Sequence, residues 1–196
     1  HGDAGLRIGE FRDQRVRPGR DDKVLVAWNG LMIDAMAKAG PALGVPRYTE
    51  GAQRAADFLL ESLRTDDGRL LHTWRGGEAK LAAYLDDYTT LANALVSLYE
   101  ATFNESYIAS AVELMDAVIA HFGDEDRGGF YYTADDHERL LTRTRDLTDN
   151  ATPGGNSMAA MALLRLGTLL GRTDYLDAAH AILKEAAPLM QQIPMG

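Results

Sequence analysis

The sequence predicts an all-α protein of three antiparallel helical hairpins, with small β-hairpins in the long loops that join them. A tyrosine-led apolar pattern occurs three times, beginning at Tyr48, Tyr107 and Tyr175, so that the copies start 59 and then 68 residues apart. In each copy an alanine follows the tyrosine after four positions, and apolar pairs continue at the spacing of one helical face. A unit of this length holds two helices, and it must stack on its neighbours to bury its apolar face. We therefore expect the three tyrosines to anchor one hairpin against the next.

The segments before these tyrosines complete the hairpins. Apolar residues at helical spacing run from Val24 to Leu43, from Tyr84 to Tyr99 and from Met158 to Leu169. The joints that follow are short and contain Gly, Pro, Asn or Asp, which breaks the helix and makes the two helices of each pair antiparallel.

The connections between the pairs are long and contain alternating, strand-like runs. Loops that recur at the same place in each repeat usually lie on one face, and that face is usually the functional one. The predicted strands are residues 70–74 with 79–83, and residues 130–133 with 140–142 turned at 135–136.

Composition limits the classes of function. A chain of 196 residues is the length of one domain, and it has no cysteine, which excludes disulfides and cysteine-bound metals. The net charge of −9 argues against nucleic acid as a partner. No apolar run approaches the ~18 residues of a membrane span, and no targeting segment is evident. These features predict a cytoplasmic protein with no membrane contact.

The first residues differ from the rest of the chain. Residues 1–21 are arginine-rich and aperiodic, which predicts a basic arm or loop, and residues 22–196 form the helical-hairpin domain. The first residue is His rather than Met, so we expect a fragment of a longer protein.

The most polar and aromatic stretches of the helices lie where the first helix of each pair begins. They are residues 27–30, 86–89 and 154–157, each 18 to 21 residues before a tyrosine of the repeat. One interpretation is capping, in which Asp86 or Asn156 satisfies free N–H groups of the first helical turn. The other is that three neighbouring helix starts surround one pocket, with N–H donors available to oxygen-rich ligands.

Four segments together resemble the spermatogenesis-associated, thioredoxin-domain-containing (YyaL-like) protein family. They are Arg15–Lys23 (RVRPGRDDK), Trp28–Leu31 (WNGL), Tyr84–Tyr88 (YLDDY) and Asp149–Ser157 (DNATPGGNS). Gly154 departs from the family pattern, which has serine there, so a hydroxyl role at this position is not expected.

The resemblance implies a fold and a chemistry that the residues alone do not give. Family members carry a thioredoxin-like domain followed by a helical toroid similar to N-acylglucosamine 2-epimerase and to six-hairpin glycosidases. Three hairpins would be about half of such an (α/α)6 toroid. The implied function is carbohydrate processing or carbohydrate binding, by analogy of fold.

The residues at the helix starts suit a sugar site, where aromatic rings combine with carboxylates and amides. For hydrolysis, two carboxylates must lie roughly 5–9.5 Å apart, so Asp86 or Asp87 with Asp149 are the predicted catalytic residues. Consecutive helical residues point about 100° apart, so we expect only one of the first two to face the pocket. The predicted substrate-binding residues are Trp28, Asn29, Trp74, Tyr84, Tyr88, Tyr131, Arg143, Asn156 and Ser157.

Other functions remain open at this level. Epimerisation needs a general base and a general acid, and His72 is the one histidine expected near the helix starts, although a structural or solvated role is the favoured interpretation for a single histidine without a partner. The rival function is a helical-repeat scaffold that binds a protein or the thioredoxin-like domain of its parent chain. The sequence predicts no cofactor and no metal site. The predicted partners are a sugar ligand and a second copy of the chain, paired through the open ends of the half toroid.

Overall fold

The computed structural model describes residues 15, 19, 21–124, 126–137 and 142–192, and it confirms the three predicted hairpins. Most of the predicted basic arm lies outside the described residues. The elements are β1 (Val24–Leu25), α1 (Val26–Leu43), α2 (Pro46–Ser62), β2 (Leu71–Arg75), β3 (Glu78–Ala82), α3 (Leu85–Thr102), α4 (Glu105–Phe122), α5 (Gly155–Leu170) and α6 (Thr173–Gln192).

The first helices of the pairs form one row, in which α3 packs between α1 and α5. Each of these helices also packs against the second helix of its own pair. As a result α3 is buried on all sides along most of its length, and Leu91 and Leu95 are fully excluded from solvent. Gly30 allows α1 to approach this closely, because a Cβ atom there would lie 2.8 Å from Oγ1 of Thr90.

The joint within each pair has the same construction. The first helix ends at a residue in the left-handed conformation, with φ of 64° at Gly44, 57° at Phe103 and 67° at Gly171. A left-handed residue after the last turn lets its N–H group bond back to the helix and reverses the chain. The second helices can therefore return antiparallel to the first.

The first predicted β-hairpin is confirmed. Strand β2 pairs with β3 in antiparallel register, with Thr73 opposite Lys80, and β1 adds on the other edge with Val24 opposite Trp74. Of the second predicted hairpin, the described residues 131–133 form no strand, and Phe130 makes an isolated bridge to Gly123. Its predicted partner residues 140 and 141 lie outside the described residues. Among the helices that the structure describes, none has the length and apolarity to cross a membrane.

Candidate functional site

An aromatic cluster of His72, Tyr84, Tyr132 and His137 lies at the start of α3. The ring of Tyr84 stacks on Tyr132 at a centroid distance of 4.9 Å and on His137 at 5.4 Å, and the His72 ring meets it edge-on at 5.0 Å. The first helical N–H group, that of Leu85, donates to the carbonyl of Tyr132 at 3.0 Å. This bond ties the loop after α4 to the start of α3. The cluster therefore joins one helix start to two of the long loops.

Asp87 faces the protein interior and is fully engaged. Its Oδ1 accepts a hydrogen bond from the backbone of Ala27 at 2.9 Å, and its Oδ2 accepts one from the backbone of Tyr84 at 2.9 Å. Oδ2 also lies 2.7 Å from Nδ1 of His72. The side chain is completely buried. Asp87 therefore connects the starts of α1 and α3 to strand β2.

Asp86, the preceding residue, has a different environment. It is partly buried, and its Oδ1 is shielded from solvent without a hydrogen-bond partner among the described residues. Burial and the neighbouring charge of Asp87 raise the pKa of Asp86 to about 6. The phenol of Tyr132 lies near the Asp86 carboxyl group, and burial together with the charges of both aspartates raises the pKa of Tyr132. A carboxyl group with this pKa exchanges protons readily near neutral pH.

The predicted aromatic residues occupy three kinds of position. Trp28 is 66% exposed at the start of α1, whereas Trp74 is partly buried with its ring edge-on to Phe58 at 5.3 Å. Tyr88 is buried, and its hydroxyl accepts a hydrogen bond from the backbone of Leu70 at 2.8 Å, so its ring belongs to the core. Tyr84 is the one of this predicted set that lies in the aromatic cluster.

The loop residues Tyr131 and Arg143 form a separate group. The Arg143 guanidinium lies over the Tyr131 ring at 4.2 Å, and it donates to the backbone carbonyls of Thr133 and His121. These bonds hold the loop after α4 together. They leave the arginine beside a polar groove of about 400 Å³ that Asp124 also lines.

The predicted polar residues at the starts of α1 and α5 make local contacts. Asn29 donates to the carbonyl of Leu25 at 2.8 Å. Asn156 is buried and bonds the backbone N–H and carbonyl groups of Phe130, each at 2.9 Å. Asp149 accepts from the backbone of Gly154 at 2.7 Å. Together with Ser157, Asp149 and Asn156 border a groove of about 540 Å³ between α5 and α6. Asp86 and Asp149 thus belong to different loops and helix starts.

One cluster has the composition of a metal site. Potential ligand atoms of His121, Asp135 and Asp136 lie within 4.8 Å of one another. Both oxygens of Asp136 bond the guanidinium of Arg69, at 2.5 and 2.9 Å. The carboxylate of Asp136 is thus already paired with a positive charge, so the arrangement favours an ion pair.

Sequence reasoning missed Tyr132 and His137, and it left the role of His72 open. Both missed residues lie in an irregular loop, where periodicity does not show which side chains face inward. The adjacent aromatic residues Tyr131 and Tyr132 were the available signal, but the sequence-based prediction selected Tyr131.

Solved structures of sugar-processing enzymes share this fold. Cellobiose 2-epimerase from Spirochaeta thermophila has a TM-score of 0.65 and 17% identity, over 82% of this chain and 42% of the epimerase. An unsaturated glucuronyl hydrolase from Bacillus sp. has a TM-score of 0.67 and 16% identity, over 88% of this chain and 49% of that one. An inactive α-1,6-mannanase variant from Salegentibacter sp., in complex with α-1,6-mannotriose, has a TM-score of 0.67 and 16% identity, over 92% and 51%. The chain therefore has the fold of the six-hairpin toroid class, and it matches about half of each of these chains.

Sequence comparison adds the particular family. The chain is homologous, over 97% of its length, to spermatogenesis-associated protein 20 of Rattus norvegicus and of Homo sapiens, with 31% identity over 200 residues. An uncharacterized protein of Caenorhabditis elegans is 29% identical over 193 residues. The chain spans about a quarter of the length of these relatives. The resemblance carried by the four motifs is thus confirmed, although no family model matches the chain.

Proposed function

We propose that this chain is part of a carbohydrate-processing enzyme, that it binds a sugar beside the aromatic cluster, and that it transfers a proton through Asp86. The observation that carries the proposal is the environment of Asp86. This carboxyl group is partly buried, one of its oxygens has no partner among the described residues, and its pKa is about 6. Such a group binds or releases a proton at neutral pH, as an acid or base in catalysis must.

The surroundings of Asp86 support a sugar as the ligand. Sugars present apolar C–H faces and hydroxyl groups, so their sites combine aromatic rings with polar side chains. Tyr84, Tyr132 and two imidazoles supply both kinds of group in one cluster, and Tyr132 and His72 of that cluster interact with the Asp86 carboxyl group. The proposed roles are therefore Asp86 for proton transfer, Tyr84 and Tyr132 for binding, and Asp87 for support.

The fold comparison supports the same proposal. The mannanase that shares the fold is inactive when two consecutive aspartates are replaced by asparagine. Asp86 and Asp87 are also consecutive, and their different environments assign them different tasks. For a hydrolytic reaction, Asp149, which accepts the N–H group of Gly154 just before α5, remains the proposed second carboxylate.

Binding is the first test. Saturation-transfer NMR with a panel of mono- and oligosaccharides would detect contact with sugar protons. We expect binding to the wild-type chain, and a roughly 5- to 30-fold weaker affinity for Tyr132→Ala, because a stacking ring contributes about 1–2 kcal/mol. Trp74 lies two residues after His72 on the same face of β2, so its fluorescence should respond to the sugar and lose that response in Trp74→Phe.

The matched control is Asp66→Asn, which removes an exposed carboxylate outside the cluster and should bind like the wild type. Asp86→Asn should retain folding and binding but abolish turnover of any sugar that the wild type converts. If no sugar in the panel binds, or if Tyr132→Ala binds unchanged, the proposed site is wrong.

A further inference from the structure

His72 is held in one orientation by the buried carboxylate of Asp87. The Nδ1 atom of His72 lies 2.7 Å from Oδ2 of Asp87, which also accepts the N–H group of Tyr84, while Oδ1 accepts the N–H group of Ala27. Both oxygens of Asp87 already accept backbone N–H groups, so the contact with His72 is completed by a proton on Nδ1 of the imidazole ring, as in carboxylate–histidine pairs generally.

This arrangement leaves Nε2 of His72 available for chemistry. With Nδ1 protonated, Nε2 carries a lone pair and is the basic atom of the ring. The His72 side chain is 22% exposed to solvent, and its ring packs edge-on against Tyr84 in the aromatic cluster. The charge of Asp86 acts on His72 as well. A base and an acid therefore face the same cluster from strand β2 and helix α3.

We propose that His72 is the catalytic base of this site, that Asp87 is its positioning residue, and that His72 and Asp86 together shift a proton between adjacent carbons of an open-chain reducing sugar. This inference rests on the proposed function and narrows it to an isomerisation of the aldose–ketose type. Hydrolysis of a glycosidic bond usually requires two carboxyl groups. The pair of His72 and Asp86 fits it less well, because His72 is an imidazole. Asp87 is not available as the second carboxyl group, since both of its oxygens already accept hydrogen bonds.

The reaction balances without an external reagent. Nε2 of His72 takes the proton from the carbon next to the carbonyl, the electrons of that C–H bond form a C=C bond, and the carbonyl oxygen takes the proton of the Asp86 carboxyl group. Ionised Asp86 then accepts the proton of the neighbouring hydroxyl group, whose oxygen becomes the new carbonyl. Protonated His72 returns its proton to the former carbonyl carbon. The aldose has become a ketose, and both side chains regain their starting states.

Deuterium incorporation tests this step separately from binding. The 196-residue chain would be incubated in D2O with the aldoses and ketoses that bind it, and exchange at the carbon next to the carbonyl would be followed by proton NMR. We expect incorporation with the wild type, and a loss of at least about a hundredfold in His72→Gln, the usual scale for removing a general base. His180→Gln, which replaces an exposed histidine on α6, is the control and should keep the full rate.

The pH profile distinguishes positioning from structural support. Asp87 raises the pKa of His72, Asp86 acts in the same direction, and Lys23 opposes them. Because His72 must be neutral while Asp86 is protonated, the rate should follow a bell-shaped profile, with a low-pH limb near the Asp86 pKa of about 6 and a high-pH limb set by the raised pKa of His72. In Asp87→Asn the high-pH limb should move to lower pH, with a rate at least about tenfold lower. A purely structural change would lower the rate without moving the profile.

A spectroscopic measurement covers the case in which these variants fail to fold. Nitrogen NMR of the wild-type chain should show His72 as the Nδ1–H tautomer above its pKa, with Nε2 unprotonated. The opposite tautomer would overturn the assignment. Sugar binding without deuterium incorporation would also overturn the assignment of His72 as the base, and so would full incorporation in His72→Gln. Neither of these two results would contradict the proposed sugar site. Absence of sugar binding would overturn both proposals.

Discussion

The hydroxyl group of Tyr175 on α6 donates a hydrogen bond to Oδ1 of Asp116 on α4, at 2.7 Å. The preceding repeat has the same contact, since Tyr107 on α4 donates to Asp57 on α2 at 3.1 Å. Each aspartate lies nine residues after the tyrosine of its own repeat. The tyrosine that leads the second and the third repeat therefore bonds the second helix of the repeat before it, and this contact explains why tyrosine, rather than phenylalanine, stands at these two positions.

Replacement of Tyr175 by phenylalanine should lower the free energy of unfolding by about 1 kcal/mol. The change removes one hydrogen bond to a carboxylate, but Asp116 keeps Arg172 at 3.1 Å and some exposure to water, which limits the loss. Urea denaturation would measure it as a lower midpoint with an unchanged slope. Tyr48→Phe is the control, because the Tyr48 hydroxyl has no hydrogen bond within the described part of the chain. Equal effects at both positions would contradict the inter-repeat role.

The helices could be predicted from the sequence because their period is a property of local residue order. The starts of α1, α3 and α5 fall within one or two residues of the segments identified as polar and aromatic. The environments of Asp86 and Asp87 could not be predicted, because they depend on His72 and Ala27, which lie far away in the chain. Tyr132 and His137 were missed because an irregular loop has no periodicity to show which side chains turn inward.

Asn156 should be essential for the loop that carries Tyr132. Its side chain bonds both backbone groups of Phe130, and it also donates to the carbonyl of Asp146 at 2.9 Å. Asn156→Ala leaves these buried groups without partners and should cost about 3 kcal/mol. Ser157→Ala alters the next residue, which is exposed, and should change stability by less than about 0.5 kcal/mol. Thermal unfolding of both variants would check the difference, and similar melting temperatures would contradict it.

We propose that the open face of the last hairpin binds a second copy of the chain. Met161 on α5 and Leu183 and Met190 on α6 are 38–61% exposed, and the last two line the groove of about 540 Å³. Apolar groups grouped in this way are usual at protein interfaces. Light scattering should show a dimer that dissociates on dilution, and Leu183→Glu should shift it to the monomer.

The control for self-association lies away from that face. Phe103→Asn alters an exposed residue in the α3–α4 joint and suits its left-handed backbone, so the dimer should persist. A wild-type chain that is monomeric at every concentration and binds no apolar dye would contradict the proposal.

Asp86→Asn should stabilise the protein at pH 8 while removing the proposed proton-transfer group. The folded-state pKa of Asp86, about 6, lies above the usual 3.8, so folding favours the protonated carboxyl group. The stability that this group contributes is present below pH 3.8 and is lost as the pH rises through 6. The full difference corresponds to at most about 3 kcal/mol, less the screening that partial exposure provides.

Asparagine resembles the protonated form, so Asp86→Asn should recover this energy at pH 8 and only about a third of it at pH 4.5. Denaturation of the wild type, Asp86→Asn and Asp66→Asn at both pH values would measure the gain. A gain that is the same at both pH values, or one that Asp66→Asn also shows, would mean that the ionised Asp86 carboxylate does not destabilise the fold. In that case the expected trade of stability for activity would not apply at Asp86.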